Sequence, residues 1–251
     1  MIWLSVQPSS DGVPVFSRPL DLSALTPSSG PVASKTWDEL RGINAGHTFS
    51  VIHNGADAYP FRDRPTPIPS LEEAINAIPQ SVQIALDLNA LPAAQQAESV
   101  DRVLDQTNSW SRTLLYSTET EYQEQLSRFP LARMFASRPA TFNRLVTLAL
   151  THSCDGSNSP DGWVGFEYDR TVTVTERFTL GENAPPMQAR LWAPEAVTCL
   201  RSQGSTVHIA VFGINTVDSY FAAGRLGVDA VVADSHRNLA EARRRGELAC
   251  S

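Results

Sequence analysis

The acidic residues around position 167 have the types and spacing from which a metal site could be built. Over residues 163–169, strand alternation puts Trp163, Gly165, Glu167 and Asp169 on one side. If that side faces a barrel axis, Glu167 and Asp169 stand at the strand's end, across from Asp87, and the three acids form a rebuilt divalent-cation site. The plainer reading of the same residues is a strand end running into a solvated loop, with Arg170 as ion-pair partner. His236 follows Asp234 near the mouth of such a barrel and is the histidine whose position suits proton transfer. Asn215 ends a strand and is a candidate for a ligand's polar group. Asp234 more readily caps the last helix than takes part in chemistry. The other histidines, His47, His53, His152 and His208, show no ligand spacing; His208 lies within a strand and reads as a core or crevice residue. The sequence contains no G-x-S-x-G, C-x-x-C, H-E-x-x-H or glycine-rich phosphate loop.

The elements that must position these residues alternate along the chain. Short strands are expected at 2–6, 13–16, 49–53, 82–88, 113–117, 131–136, 163–168, 206–213 and 230–233, and 172–178 could extend the structure. Helices are expected at 36–41 (capped by Ser34), from Ser70 through Ile78, at 93–106, 119–129, 140–150, 194–203, 216–226 and 237–245. Ser70 with Glu73 makes a capping box. Leu71, Ala74, Ile75 and Ile78 form that helix's buried stripe. Ala94, Ala97, Val100, Val103 and Leu104 form the stripe of the next. Residues 54–69, with four prolines, and 181–187 read as loops. The strands at 82–88, 207–212 and 230–232 are apolar nearly throughout, as parallel strands buried on both faces are. Strand–helix alternation of this kind predicts a parallel sheet with helical crossovers, best built as a single (β/α) barrel over residues 1–251; an open doubly wound sheet is the second choice.

Composition excludes several classes. The 251 residues carry 20 basic and 27 acidic side chains, a formal net charge of −7, so the cationic stripe of a nucleic-acid binder is absent. Apolar runs such as 145–150 fall far short of the roughly 18 residues of a membrane span. Three cysteines, Cys154, Cys199 and Cys250, are too few and scattered for a disulfide framework. The first residues lack a basic n-region. The expected compartment is the cytoplasm.

Seven segments in order resemble the glycerophosphodiester phosphodiesterase family. Ile2-Trp3-Leu4-Ser5-Val6-Gln7 followed by Asp11-Gly12-Val13-Pro14-Val15 is similar to that family's E-L-D-V segment and D-G-v-P-V. Leu20 to Thr26, Gly30 and Thr36-Trp37-Asp38-Glu39-Leu40 match its next stretch. Pro69-Ser70-Leu71-Glu72-Glu73-Ala74 matches its P-t-L-e-E-a helix start. Residues 84–89 (IALDLN) lie where it has I-E-I-K, 113–118 where it has a serine-ended strand, 211–215 (VFGIN) where it has v-W-T-V-N, and 227–234 (GVDAVVAD) where it has G-V-D-g-i-i-T-D. The resemblance implies a (β/α) barrel with its site at the strand C-termini, hydrolysing glycerophosphodiesters with two histidines and three carboxylates holding a divalent cation.

The departures fall on that machinery. The family's opening strand with H-R-G and the P-E-N-T helix have no counterpart, since the sequence starts at the second barrel strand. The Glu and Asp of E-L-D become Trp3 and Ser5, the second His becomes Arg18 and the Asp beside it Pro19. The Glu of I-E-I-K becomes Asp87, a remnant metal ligand, and its Lys becomes Asn89. Arg18, Asn89 and Asn215 are thereby the expected substrate-binding residues. His236 and Glu167 are the catalytic candidates, with Asp169 a speculative metal ligand. No cofactor is expected, or Mg²⁺ or Ca²⁺ if the family site is partly kept. The expectation is a family barrel that has lost hydrolysis and serves a binding or interaction role, with a small phosphate ester as its candidate ligand. The alternatives are an enzyme of altered chemistry in the same barrel, or the family's phosphodiesterase itself. A barrel lacking its first strand would leave the edges at 2–6 and 230–233 bare, with three expected outcomes: a seven-stranded barrel pulled shut, a gap filled by this chain's own loop, or a homodimer formed through the gap.

Overall fold

The structure is a computed structural model that describes residues 1–53, 55–154, 162–173, 176–178, 181–183, 186–202 and 206–249. Contacts group the chain into two compact units, Met1–Met134 and Phe135–Ser251.

In the first unit, strands β1 (Ile2–Pro8), β5 (Ile84–Leu88) and β6 (Thr113–Tyr116) lie parallel, β5 in the middle. A short strand, β2 (Pro14–Phe16), folds back antiparallel on the outer edge of β1. The Asp11-Gly12 turn makes this reversal possible: Ser9 Oγ donates to Asp11 Oδ1 at 2.6 Å, and Gly12 takes φ +82°, a backbone region costly for residues with a Cβ. The edge expected to be bare is therefore paired over Val6–Pro8, and Ser17 N–H donates to Ser5 O at 3.1 Å just beyond.

Alternation divides the strand side chains between two faces. Leu4, Val6, Ile84, Leu86, Leu88 and Leu115 enter a core with helices α2 (Leu71–Ala77), α3 (Ala93–Gln106) and α4 (Glu121–Leu126). Trp3, Ser5, Ala85, Asp87 and Tyr116 take the opposite face. Ser70 and Glu73 form the expected capping box, with Glu73 N–H donating to Ser70 Oγ at 3.1 Å. Helix α1 (Trp37–Arg41) is capped by Thr36 rather than Ser34, because Glu39 N–H reaches the Thr36 hydroxyl. Ala93, not Ala94, starts the fully buried stripe of α3. The proline-rich loop holds strand β4 (Ala56–Ala58), paired with β3 (Val51–His53). The strand expected at 131–136 shrinks to single parallel bridges, Met134 to Leu115 here and Phe135 to Trp163 in the second unit.

The second unit repeats the plan. Strands β7 (Gly162–Glu167), β12 (Val207–Phe212) and β13 (Ala230–Val232) run parallel in the order β13-β12-β7. Val164, Phe166, Ile209 and Val211 pack with α5 (Arg138–Thr151), α6 (Pro194–Ser202) and α7 (Val217–Leu226). The chain ends in α8 (His236–Ala249). Within the stretch 181–187, expected to be a loop, the described residues 181–183 and 186–187 belong to antiparallel pairs instead. Strand β8 (Arg170–Thr173) pairs with β11 (Pro186–Ala189), and β9 (Glu176–Phe178) with β10 (Gly181–Asn183). A disulfide joins Cys154 to Cys199 across 45 residues of sequence. The sequence reading missed it because spacing cannot say which distant segments the fold brings together. Cys250 lies outside the described residues.

Candidate ligand site

Along the β1–β5 ladder, the residues on the face opposite the helix-packed core come together. The parallel register sets Ser5 opposite Asp87 and Trp3 opposite Ala85. Ser5, 5% exposed, donates from Oγ to Asp87 Oδ2 at 3.2 Å. Asn89 donates from Nδ2 to Asp87 Oδ1 at 2.9 Å, and the Trp3 side chain also bonds Asp87. Trp3 in turn packs on Tyr116, ring centroids 5.1 Å apart. Burial pushes the Asp87 carboxyl above its ordinary range; the hydrogen bonds from Asn89, Ser5 and Trp3 and the positive charge of Arg18 oppose that shift.

The supporting loops are themselves bonded. Asn89 Oδ1 accepts from Thr118 Oγ1 at 3.0 Å, so Asn89 ties the end of β5 to the segment after β6. Behind it, Tyr122 Oη donates to Ala90 O at 2.6 Å, and Gln96 Nε2 donates to Val6 O at 2.8 Å. Asn89, expected to bind substrate, has both ends of its amide engaged, by Asp87 and Thr118. Arg18, on the exposed segment after β2, is the cation that faces this cluster.

In the second unit the expected site residues are occupied otherwise. Glu167 forms ion pairs with Arg138 and, at 3.7 Å, with Arg170. Both guanidinium groups lie over the Phe166 ring, at 4.7 and 5.3 Å. Asp169 pairs with Arg190 at 2.7 Å and is exposed. These acids are held by arginines, as the plainer reading had it, Arg170 among them. Among the described residues no group of three or more His, Cys, Asp or Glu stands close enough to hold a metal ion.

Asn215 was expected to bind a ligand, yet its amide is engaged at both ends by Asp234. Its Nδ2 donates to Asp234 Oδ2 at 2.7 Å, and Asp234 N–H donates to its Oδ1 at 2.8 Å. That clasp fixes the loop after β12 against the loop after β13. It also means that Ser235, not Asp234, meets the start of α8, taking Asn238 N–H at 3.5 Å. His236 is the exposed first residue of α8, with no polar partner among the described residues. His208 stacks on Trp163, centroids 5.0 Å apart, in keeping with a crevice residue. Sequence reasoning missed Thr118, whose role shows only in the fold, and the part played by Ser5, which needs the β1–β5 register.

The profile of the Glycerophosphoryl diester phosphodiesterase family matches residues 4–237. The chain belongs to this family. It is 44% identical over 234 residues to "Uncharacterized protein Rv2277c" of Mycobacterium tuberculosis, an alignment spanning 93% of this chain and 77% of that protein. The crystal structure of the glycerophosphoryl diester phosphodiesterase domain of Rv2277c superposes with a TM-score of 0.86 at 43% identity, covering 97% of this chain and 87% of that one. An Oleispira antarctica phosphodiesterase, solved in complex with the product sn-glycerol-3-phosphate, gives a TM-score of 0.66 at 18% identity over 96% of this chain and 84% of that one, a likeness of fold alone. The fold class read from the sequence, the (β/α) barrel of the glycerophosphoryl diester phosphodiesterase family, is the fold of this chain. Among the described residues no helix is long and apolar enough to cross a membrane.

Proposed function

We propose that this family member binds a small phosphate ester beside Asp87 and does not hydrolyse phosphodiesters through a divalent metal. The observation that carries the reading is the Asp87 carboxylate: it takes hydrogen bonds from Ser5, Asn89 and Trp3, where a metal site would set further carboxylates. A hard cation needs several oxygen ligands, most of them anionic. One acid whose oxygens already accept from three donors does not fit Mg²⁺ or Ca²⁺. The positive charge at the cluster is instead the guanidinium of Arg18, a planar fork suited to a phosphate. A second reading, altered acid–base chemistry, is favoured by one feature: burial lifts the Asp87 carboxyl above its ordinary value, the direction a proton-transfer group needs.

Calorimetric titration with sn-glycerol 3-phosphate tests the reading. Binding should be the same in chelator as in Mg²⁺ or Ca²⁺, and Arg18→Ala should weaken it by about tenfold, the loss of one charge-assisted contact. Glycerophosphocholine and bis-p-nitrophenyl phosphate should stand unhydrolysed above buffer. Metal-dependent turnover that disappears in Asp87→Ala would overturn the proposal.

A further inference from the structure

We propose that the Cys154–Cys199 disulfide is a thiol-exchange site, at which a small thiol attacks Cys154 and displaces Cys199. The bridge lies within the second unit. Cys154 follows the end of α5 and is exposed, whereas Cys199, in the middle of α6, is 6% exposed. The two sulfurs of one bridge thus face different surroundings. Exchange needs a thiolate to approach one sulfur from the side opposite the bond that breaks, so access selects the target. Cys154 is the accessible sulfur.

A cavity of about 470 Å³ adjoins the bridge, with Cys154, Cys199, His152, Glu195 and Ser202 in its wall. A peptide-sized thiol has room there. The chemistry balances without a further reactant. The thiolate RS⁻ bonds to Cys154 Sγ, the Cys154–Cys199 bond breaks, and Cys199 leaves as a thiolate that takes a proton from water. A second RS⁻ then attacks the adduct, releasing RS–SR and the Cys154 thiolate.

The consequence is local. The end of α5 is joined to α6 by the disulfide, by the His152–Glu195 pair at 2.9 Å and by a long Cys154 Sγ–Ser202 Oγ contact at 4.0 Å that depends on the bridged sulfur's position. The side chains of that pair are 72% and 64% exposed, and so open a pair contributes little. Opening the disulfide therefore loosens the last turn of α5.

The test uses the full chain carrying Cys250→Ser, so that the third thiol is silent. Air-oxidised protein is treated with reduced glutathione under native conditions, quenched in acid and mapped by mass spectrometry. The expected mixed disulfide is on Cys154. With oxidised glutathione, the Cys199→Ser variant should form an adduct at least about tenfold faster than Cys154→Ser, as the difference in access requires. Hydrogen exchange at residues 148–151 should quicken on reduction. If a single-cysteine variant fails to fold, the mapped adduct of the Cys250→Ser protein assigns the sulfur by itself. Free thiols at 154 and 199 in oxidised protein, an adduct on Cys199, or a bridge that opens only in denaturant would each overturn the proposal.

Discussion

Ser5 and Asp87 stand opposite one another in the parallel ladder of β1 and β5, and the serine hydroxyl donates to the carboxylate at 3.2 Å. An acid at position 5 would put two carboxyls face to face, a pairing that needs a cation or a shared proton between them. Serine turns the same juxtaposition into a donor and an acceptor, so the strands close without an ion.

The first prediction reverses that change. A Trp3→Glu, Ser5→Asp double variant sets three acids on one face of the β1–β5 ladder. It should bind Ca²⁺ with Kd in the ~10⁻⁴–10⁻³ M range of a simple carboxylate site, while the unaltered protein gives no heat in the same titration. Loss of the Trp3–Tyr116 ring contact lowers stability, so circular dichroism must first show the variant folded. A folded variant with no more affinity than the parent would mean that Asp87 is not part of a latent ligand set.

The second prediction concerns pH. In the unfolded chain the Asp87 carboxyl titrates near its ordinary value of 3.8, and in the fold burial raises it. Between those two values the folded state holds a proton that the unfolded state has lost. The contribution of this carboxyl to stability is therefore full below pH 3.8 and is lost as pH rises through the folded value. Asp87→Asn has no such loss. Thermal unfolding from pH 4 to pH 8 should show the variant gaining on the parent with rising pH. A constant difference, or one of opposite trend, would contradict the direction of the shift.

The sequence carried the parallel strands, the Ser70 capping box and the whole span of α3 because these rest on local signals: alternation, caps and helical period. It hid what rests on pairing at a distance. The stretch 181–187 has a loop's composition, yet 181–183 and 186–187 are strand through partners at 176–178 and 172–173. The run at 131–136 has a strand's composition but makes only one bridge on each side. The candidate site divides the same way. Asp87 and Asn89 stand out on one strand, whereas the engagement of Asn215 by Asp234, nineteen residues on, depends on how two loops meet.

The third prediction lies in the second unit. A Cβ built on Gly165 would strike the Phe212 ring and approach Phe135 Cδ1 to 3.1 Å. Phe135 also packs on Trp163, centroids 5.7 Å apart, so the ring has little freedom to retreat. Gly165→Ala should cost about 1–3 kcal/mol, the usual range for overpacking. Adding Phe212→Leu should recover part of it in a double-mutant cycle from urea unfolding. Additive losses would show that Phe212 is not the obstacle.

The last prediction concerns the opposite end of the first unit's sheet. Arg112 is 6% exposed and precedes β6. Its Nη2 donates to Ile75 O at 3.1 Å and its Nη1 to Pro79 O at 2.9 Å and Ile78 O at 3.3 Å. These carbonyls belong to the last turn of α2 and the residues just after it. That turn has no basic residue of its own, so a guanidinium from another element meets the negative end of the helix. Arg112→Met keeps much of the apolar stem and removes the charged donors, leaving Ile75 O and Pro79 O with only the backbone N–H groups of Ile78 and Val82. The loss should be about 2–3 kcal/mol, as for hydrogen bonds to a charged group, seen as a lower urea midpoint at unchanged slope. Arg112→Lys should fall between, since an ammonium supplies the charge but not the fork. Because Asp87 lies toward the other end of the strands, affinity for sn-glycerol 3-phosphate in the folded Met variant should equal the parent's. A Met variant as stable as the parent would show that water or a neighbouring donor replaces the guanidinium at those carbonyls.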